Sequence, residues 1–324
     1  MTHINPVMDF RLKLEIGFKD SKNGIVIADE YANSLKGLDL SAEIIKTYEN
    51  KPVASTITIY NLSTKTYNDI YEKAEAFRLS CARGGSEDYV PFYTGYPIRA
   101  TQVAKKTVLT SNQGFMSQDA NAGRSGQNDL ETNITLMNYG LAQLYKSYQS
   151  GVSSSVVIND CIQAFGLPKG NMDTWTDVIL PKGFTIKGDV AKALDTLGQR
   201  LGFTWNTNDM KFNIYDKNKE QMKTYGIHLT PENTSTPERQ DDKFKKQKTP
   251  ENKKKNVKGV KSTKIEKISQ GFLCRTQLLP HLQCGSTCYM DFDMSDARGE
   301  KYIYKIVHHV NNIGLDAYTE IYCV

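Results

Sequence analysis

A chain of 324 residues with 39% hydrophobic, 24% charged and 10% aromatic side chains has a globular composition and is long enough for two or three cores. Its formal charge of +5 hides an asymmetry: residues 238–267 hold 12 Lys/Arg against 5 Asp/Glu, a local +7, which leaves 29 basic and 31 acidic residues elsewhere. The chain is near neutral with one basic insertion, which argues against a folded nucleic-acid groove, whose cations would be spread among its elements. No apolar run approaches the roughly 20 residues of a bilayer span, and Met1 to Phe18 has no signal-peptide core, so a soluble, cytoplasmically made protein with no membrane partner is expected.

Residues 10–18 alternate strictly, with Phe10, Leu12, Leu14, Ile16 and Phe18 on one face, and predict a strand. Asn23-Gly24 is a turn signal before a short apolar run to Ala28. Leu38 to Tyr48 predicts a further strand. Asn50-Lys51-Pro52 turns into Ala54 to Leu62, where Ile57 and Ile59 face one way and Thr56, Thr58 and Tyr60 the other. Ser63 can cap a helix expected from about Lys65 to Phe77, with Tyr67, Ile70, Tyr71 and Ala74 inward. Strands return from Phe77 to Leu109. Residues 110–129, rich in Ser, Asn, Gln and Gly, predict a loop or hairpin tip, and Asn133 to Met137 alternates again. This first third reads as an antiparallel barrel or sandwich.

The middle changes rhythm. Ser153 to Ser155 cap a short helix whose Val157, Cys161 and Phe165 recur every four residues, and Gly166-Leu167-Pro168 stops it. Phe184 to Ile186 predicts a strand. Asp189 then caps a helix with Val190, Leu194, Leu197 and Leu201 on one stripe, ended by Gly202. Phe203 to Trp205 and Lys211 to Tyr215 form a hairpin across a turn at Asn206 to Asp209. From Lys217 to about Lys267 the Lys-, Thr-, Pro- and Asn-rich composition predicts a long loop or disordered insertion. Strands resume with Gly285 to Met290, then Lys301 to Val310 with Tyr302, Tyr304, Ile306 and Val310 on one face, and finally Tyr318 to Val324.

Catalytic patterns are missing. There is no G-x-S-x-G, P-loop or H-E-x-x-H motif, so neither an enzyme nor a cofactor is expected. Adjacent His308 and His309 fall on opposite faces of a strand, a core His308 beside a solvated His309, and cannot converge on one ligand. Cys284 and Cys288, with His281 close by, match no common zinc spacing; with Cys81, Cys161, Cys274 and Cys323 they predict buried thiols. Asp291, Asp293 and Asp296 open like a calcium loop, but Asp296 stands where glycine is required and Tyr302 where a glutamate is. Catalytic, cofactor and metal residues are thus all read as none.

Three segments carry a resemblance. Gly37-Leu38-Asp39-Leu40, Asn50-Lys51-Pro52 and Ala54 to Ser63 (ASTITIYNLS) look like the strand, turn and strand that open phage tail-hub proteins. Phe92-Tyr93-Thr94-Gly95, Thr132 to Met137, Ser153 to Pro168 and Gly188 to Ile214 are similar to that family's first-barrel strands and small αβ domain. Leu278 to Gly285, Tyr302 to His308 and the closing Tyr318 strand resemble its second barrel, although the first of these is one residue short and Ile306 replaces a valine. The lysine-rich insertion has no counterpart. The resemblance implies an α+β fold of two antiparallel, tail-tube-like β-barrel domains with a small αβ domain between them. The expected divisions are 1–150 for the first barrel, 151–217 for the αβ domain, 218–270 for a flexible insertion and 271–324 for strands completing the second barrel.

For function it implies a structural, non-enzymatic subunit of the virion, sited at the tail baseplate or tip. The chain would assemble with itself as a homotrimer, a pseudo-sixfold ring that joins the tail-tube protein to a spike or tail-tip protein. Lysines of the insertion would make non-specific contact with phage DNA. A cell-wall or carbohydrate-binding tail module, or a tail-associated peptidoglycan hydrolase, is the competing expectation.

Overall fold

A computed structural model describes residues 10–18, 24–28, 39–48, 55–83, 88–106, 128–137, 142–172, 175–208, 211–216, 226–240, 271–294, 296–312 and 316–324. The turn expected at Asn50 to Pro52, most of the loop expected over 110–129 and the lysine-rich residues 241–267 fall outside them.

Seven strands come from the first third: β1 (Phe10–Phe18), β2 (Ile25–Ala28), β3 (Leu40–Thr47), β4 (Ser55–Tyr60), β5 (Ala74–Arg83), β6 (Val90–Lys106) and β7 (Asn128–Met137). Their order in the sheet is β3-β4-β7-β6-β5-β1-β2, all antiparallel. Alternation sets the facing. Phe10, Leu12, Leu14 and Ile16 of β1, with Ile57 and Ile59 of β4, are buried in one core together with Phe77, Leu79 and Phe92. Between β4 and helix α1 (Thr64–Lys73) the Tyr-Asn-Leu-Ser sequence has a physical reading. Asn61 takes a left-handed φ of 57°, which Asn tolerates better than most residues, Leu62 drops into the core, and the Ser63 hydroxyl accepts from the Thr66 N–H. The helix is shorter than its sequence predicts. Ala74 is already extended and opens β5, whose Phe77, Leu79 and Cys81 are buried with strand periodicity, while Tyr71 is 67% exposed.

The middle unit holds β8 (Gln143–Tyr148), α2 (Ser154–Phe165), β9 (Phe184–Asp189), α3 (Val190–Leu201), β10 (Phe203–Asn206) and β11 (Asn213–Asp216). Both helices start on capping side chains, Ser153 and Asp189, and both end on glycines whose φ of 66° and 80° only glycine adopts without strain. Asp177 braces the start of α2, accepting from the Ser153 and Ser154 hydroxyls and the Ser155 N–H. Strand β8, which falls in the range 1–150 assigned to the first barrel, pairs instead with β9. Val157, Cys161, Val190, Leu194 and Leu197 close on Trp205 and Phe212, whose rings stack at 5.5 Å.

The last strands are β12 (Ile227–Leu229), β13 (Glu238–Arg239), β14 (Phe272–Gln277), β15 (Thr287–Met290), β16 (Gly299–Asn311) and β17 (Asp316–Cys323). Strands β12 and β13 correct the reading of 218–270 as wholly flexible. Ile227 and Leu229 pair with β15, with Leu229 fully buried, and Glu238–Arg239 pair with β14. The β12–β15 ladder is parallel, so the second unit is not purely antiparallel. Two separate closed barrels are not what forms either. Strand β16 is 13 residues long, and its Lys305–Asn311 half pairs with both β17 and β3, so the described strands make one 13-stranded sheet running from β13 to β2. Leu278, Val310 and Ala317 from the last strands pack in the core of the first. A bulge between Ile303 and Lys305 also shifts the phase of β16, putting Ile303, Ile306, His308 and Val310 inward, where simple alternation places Tyr302 and Tyr304 with Ile306.

Candidate functional site

The middle unit is fixed to the sheet where β3 ends. The Asn206 side chain, 1% exposed, donates to the Thr47 and Tyr48 carbonyls, Asn208 donates to Thr47, and Asn213 donates to the Asn206 carbonyl oxygen. Tyr48 packs against Tyr215 at 5.0 Å and Tyr302 at 4.9 Å. Sequence reading placed Asn206 at a turn, where Asn is common. Only the long-range partners give it this joining role.

On the outer face, β14, β17, β16, β3 and β4 present Arg275, Glu320, His309, Glu43 and Thr56. A shallow pocket of about 470 Å³ is lined by Ser41, Glu43, Thr56, Thr58, His309 and Tyr318 among others. His309 lies directly opposite Glu43 on one side and Tyr318 on the other, with its ring stacked on Tyr318 at 4.6 Å. It is half-buried, not solvated as its place on the polar face suggests. Glu320 is buried beneath it and accepts from Arg275 Nε and the Tyr322 hydroxyl, each at 3.0 Å. Burial pushes the Glu320 carboxyl up, but the hydrogen bonds from Arg275 and Tyr322, with His309 close by, outweigh it and hold the group below the usual carboxylate range. A group with a lowered folded pKa adds stability above its unfolded pKa and loses it as pH falls through the folded one. Native protein should therefore lose urea resistance on acidification below about pH 4.3, and Glu320→Gln should flatten that loss. Urea midpoints measured between neutral and acid pH check this; parallel curves for the two proteins would refute it.

The inward histidine, His308, is fully buried. Its Nδ1 lies 3.0 Å from the Thr319 hydroxyl, which accepts from the Leu279 N–H, while its Nε2 has no hydrogen-bond partner. Burial, then Lys46 and His309, keep it neutral. It is a core residue with one unsatisfied nitrogen. His309 Nε2 is 3.7 Å from Glu320, too far for a hydrogen bond, and that carboxylate is already occupied. None of the six cysteines forms a disulfide, and all are buried. Among the described residues no group of three His, Cys, Asp or Glu could hold a metal ion. Asp291 and Asp296 are engaged by Arg298 and Arg239 respectively. The outer face is thus a polar surface with a shallow pocket, crossed by the Arg275–Glu320–Tyr322 hydrogen bonds.

No protein-family model matches the sequence, and no curated protein matches it. Solved structures do match. The 43 kDa tail protein of prophage MuSo2 from Shewanella oneidensis is similar at a TM-score of 0.59 and 11% identity, over 97% of this chain and 96% of that one. The two chains share a fold. A tail protein from Neisseria meningitidis MC58 is similar at a TM-score of 0.55 and 9% identity, over 97% and 96% of the two chains. The E. coli c3393 protein, a component of the type VI secretion system that exhibits structural similarity to the T4 tail proteins gp27 and gp5, reaches 0.53 at 8% identity over 90% of this chain and 75% of that one. The first two likenesses run through nearly the whole chain, joined sheet and middle unit together.

Proposed function

We propose that the chain is a structural hub subunit of a phage tail, a building piece with no catalytic role, placed in the virion at the baseplate or tip. Three copies would form a ring with pseudo-sixfold character, docking on the tail-tube protein on one side and a spike or tail-tip protein on the other. The observation that carries the reading is the frame itself. Two strand-rich regions share β16, and the middle unit is fastened to the end of β3 at their junction. The whole-chain likeness to prophage tail proteins supports it. Within the proposal, β1–β7 and β12–β17 supply the two sheet regions and β8–β11 with α2 and α3 the middle unit. Light scattering coupled to size exclusion should give a threefold mass, or a concentration-dependent approach to it. A monomer that persists when the tube protein is added would refute the ring.

Contact with phage DNA belongs to the same proposal and rests on the charge of residues 238–267, 12 basic against 5 acidic. Such contact would meet phosphates without reading sequence and would weaken steeply with salt. Deleting residues 241–265 is expected to leave the fold intact and abolish salt-sensitive DNA binding. Unchanged DNA affinity in the deletion variant would remove DNA from the partners.

A further inference from the structure

The middle unit carries a second surface that the ring does not account for. A groove of about 300 Å³ runs between β9 and α3, lined on one side by Gly183, Phe184, Thr185, Ile186 and Lys187. These are consecutive residues from both faces of the strand, so the groove follows the edge of β9 and not one of its faces. Among the described residues β9 pairs only with β8, which leaves the main-chain groups of its other edge open to a further strand. On the far side α3 presents Lys192, Thr196 and Arg200 at four-residue spacing, all exposed. With Lys187 the groove has three cations. Its one carboxylate, Asp189, caps α3 through the Ala191 and Lys192 N–H groups and stands 3.7 Å from the Lys192 ammonium, so the groove keeps a net charge of +2. Arg200 leans over the Phe184 ring at 5.6 Å, which holds its guanidinium at the groove wall.

We propose that this groove binds an extended, acidic segment of a partner protein as an added strand on β9. The spacing suits such a strand. Lys192 and Arg200 are eight residues apart on a helix, about 12 Å. Carboxylates at the first and fifth positions of an extended segment, pointing to the same side, lie about 13 Å apart. The open strand edge supplies main-chain hydrogen bonds and the cations select acidic side chains, the usual division between affinity and specificity in strand addition. A nucleic-acid strand would use the cations but would leave the β9 main chain unpaired.

The test uses the full chain and a fluorescent octapeptide alternating Glu and Val. Anisotropy should show binding that weakens as salt is raised. Lys192→Glu combined with Arg200→Glu should weaken it roughly tenfold or more, with an unchanged circular dichroism spectrum, as expected for two exposed side chains. The same peptide N-methylated at alternate residues should lose binding, because it cannot complete the strand ladder. The proposal is overturned if the acidic peptide fails to bind, if an alternating Lys and Val peptide binds equally, or if the charge-reversed protein or the methylated peptide binds as well as its parent. It is also overturned if oligothymidylate binds in place of the peptide and loses affinity on charge reversal, which would make the groove a nucleic-acid site. Monomeric protein that still binds the peptide would separate this result from failure of the ring.

Discussion

Replacing Ile59 by Asp is expected to leave little or no soluble folded protein. Ile59 is 0% exposed near the end of β4, opposite Leu40 on β3, and packs in the core that β1, β5 and β6 also fill. A carboxylate there would meet no partner and would have to ionise in an apolar medium or protonate and still lack hydrogen bonds, a cost on the order of 5 kcal/mol. A domain's whole stability is about 5–15 kcal/mol, so one such group consumes most of it. Thr58→Asp is the control, since Thr58 is on the opposite face at the pocket rim. The soluble fraction after expression and the urea midpoint of whatever is recovered measure the difference. A well-folded Ile59→Asp protein would mean that the facing of β4 is reversed.

Val307→Pro should strike the whole molecule at once. Val307 is 3% exposed and lies between Glu320 of β17 and Ile45 of β3. Proline cannot donate to a ladder and is confined to strand edges, so at this central position it disturbs both seams of β16, with an expected loss of about 3 kcal/mol or more. The readout is cooperativity. Trp175 and Trp205 both lie in the middle unit, so tryptophan fluorescence follows that unit while far-ultraviolet circular dichroism follows the strands. Both signals should shift together to lower urea, because Asn206 ties the middle unit to the end of β3. Separate transitions, with fluorescence unmoved, would show that the junction does not couple the parts.

What was legible in the sequence is what local pattern controls. The strict alternation of β1, the facing of Ile57 and Ile59, the caps at Ser63, Ser153 and Asp189 and the glycine stops at Gly166 and Gly202 all depend on neighbours a few residues away. The end of α1 was missed because Ala74 and Glu75 suit a helix, and burial of Phe77 and Leu79 overrode that preference. Strands β12 and β13 are three and two residues long in a polar stretch, so nothing in their own sequence marks them; pairing with β15 and β14 makes them strands. The outer-face network was equally hidden. Glu320, Arg275 and His309 come from three strands, and only the sheet order brings them together. The bulge in β16 left a faint trace: a buried Ile303 and a buried Ile306 cannot share one face of a regular strand.

The shared strand also sets a timetable for synthesis. Strand β3 ends at Thr47, yet one of its two neighbours is residues 305–311 of β16, and the Leu40 N–H is answered by the Asn312 side chain, 272 positions later. While the ribosome makes everything between, the edge of β3 that will receive β16 stays bare, with Ile44 and Ala42 still lacking His308 and Val310, respectively, across the ladder. Contacts this far apart in the chain form late and slowly, and an unpaired edge is an invitation to other chains. A nascent or prematurely ended polypeptide is thus sticky at the position where the finished one is sealed, and its dependence on chaperones should fall abruptly once β16 has left the exit tunnel.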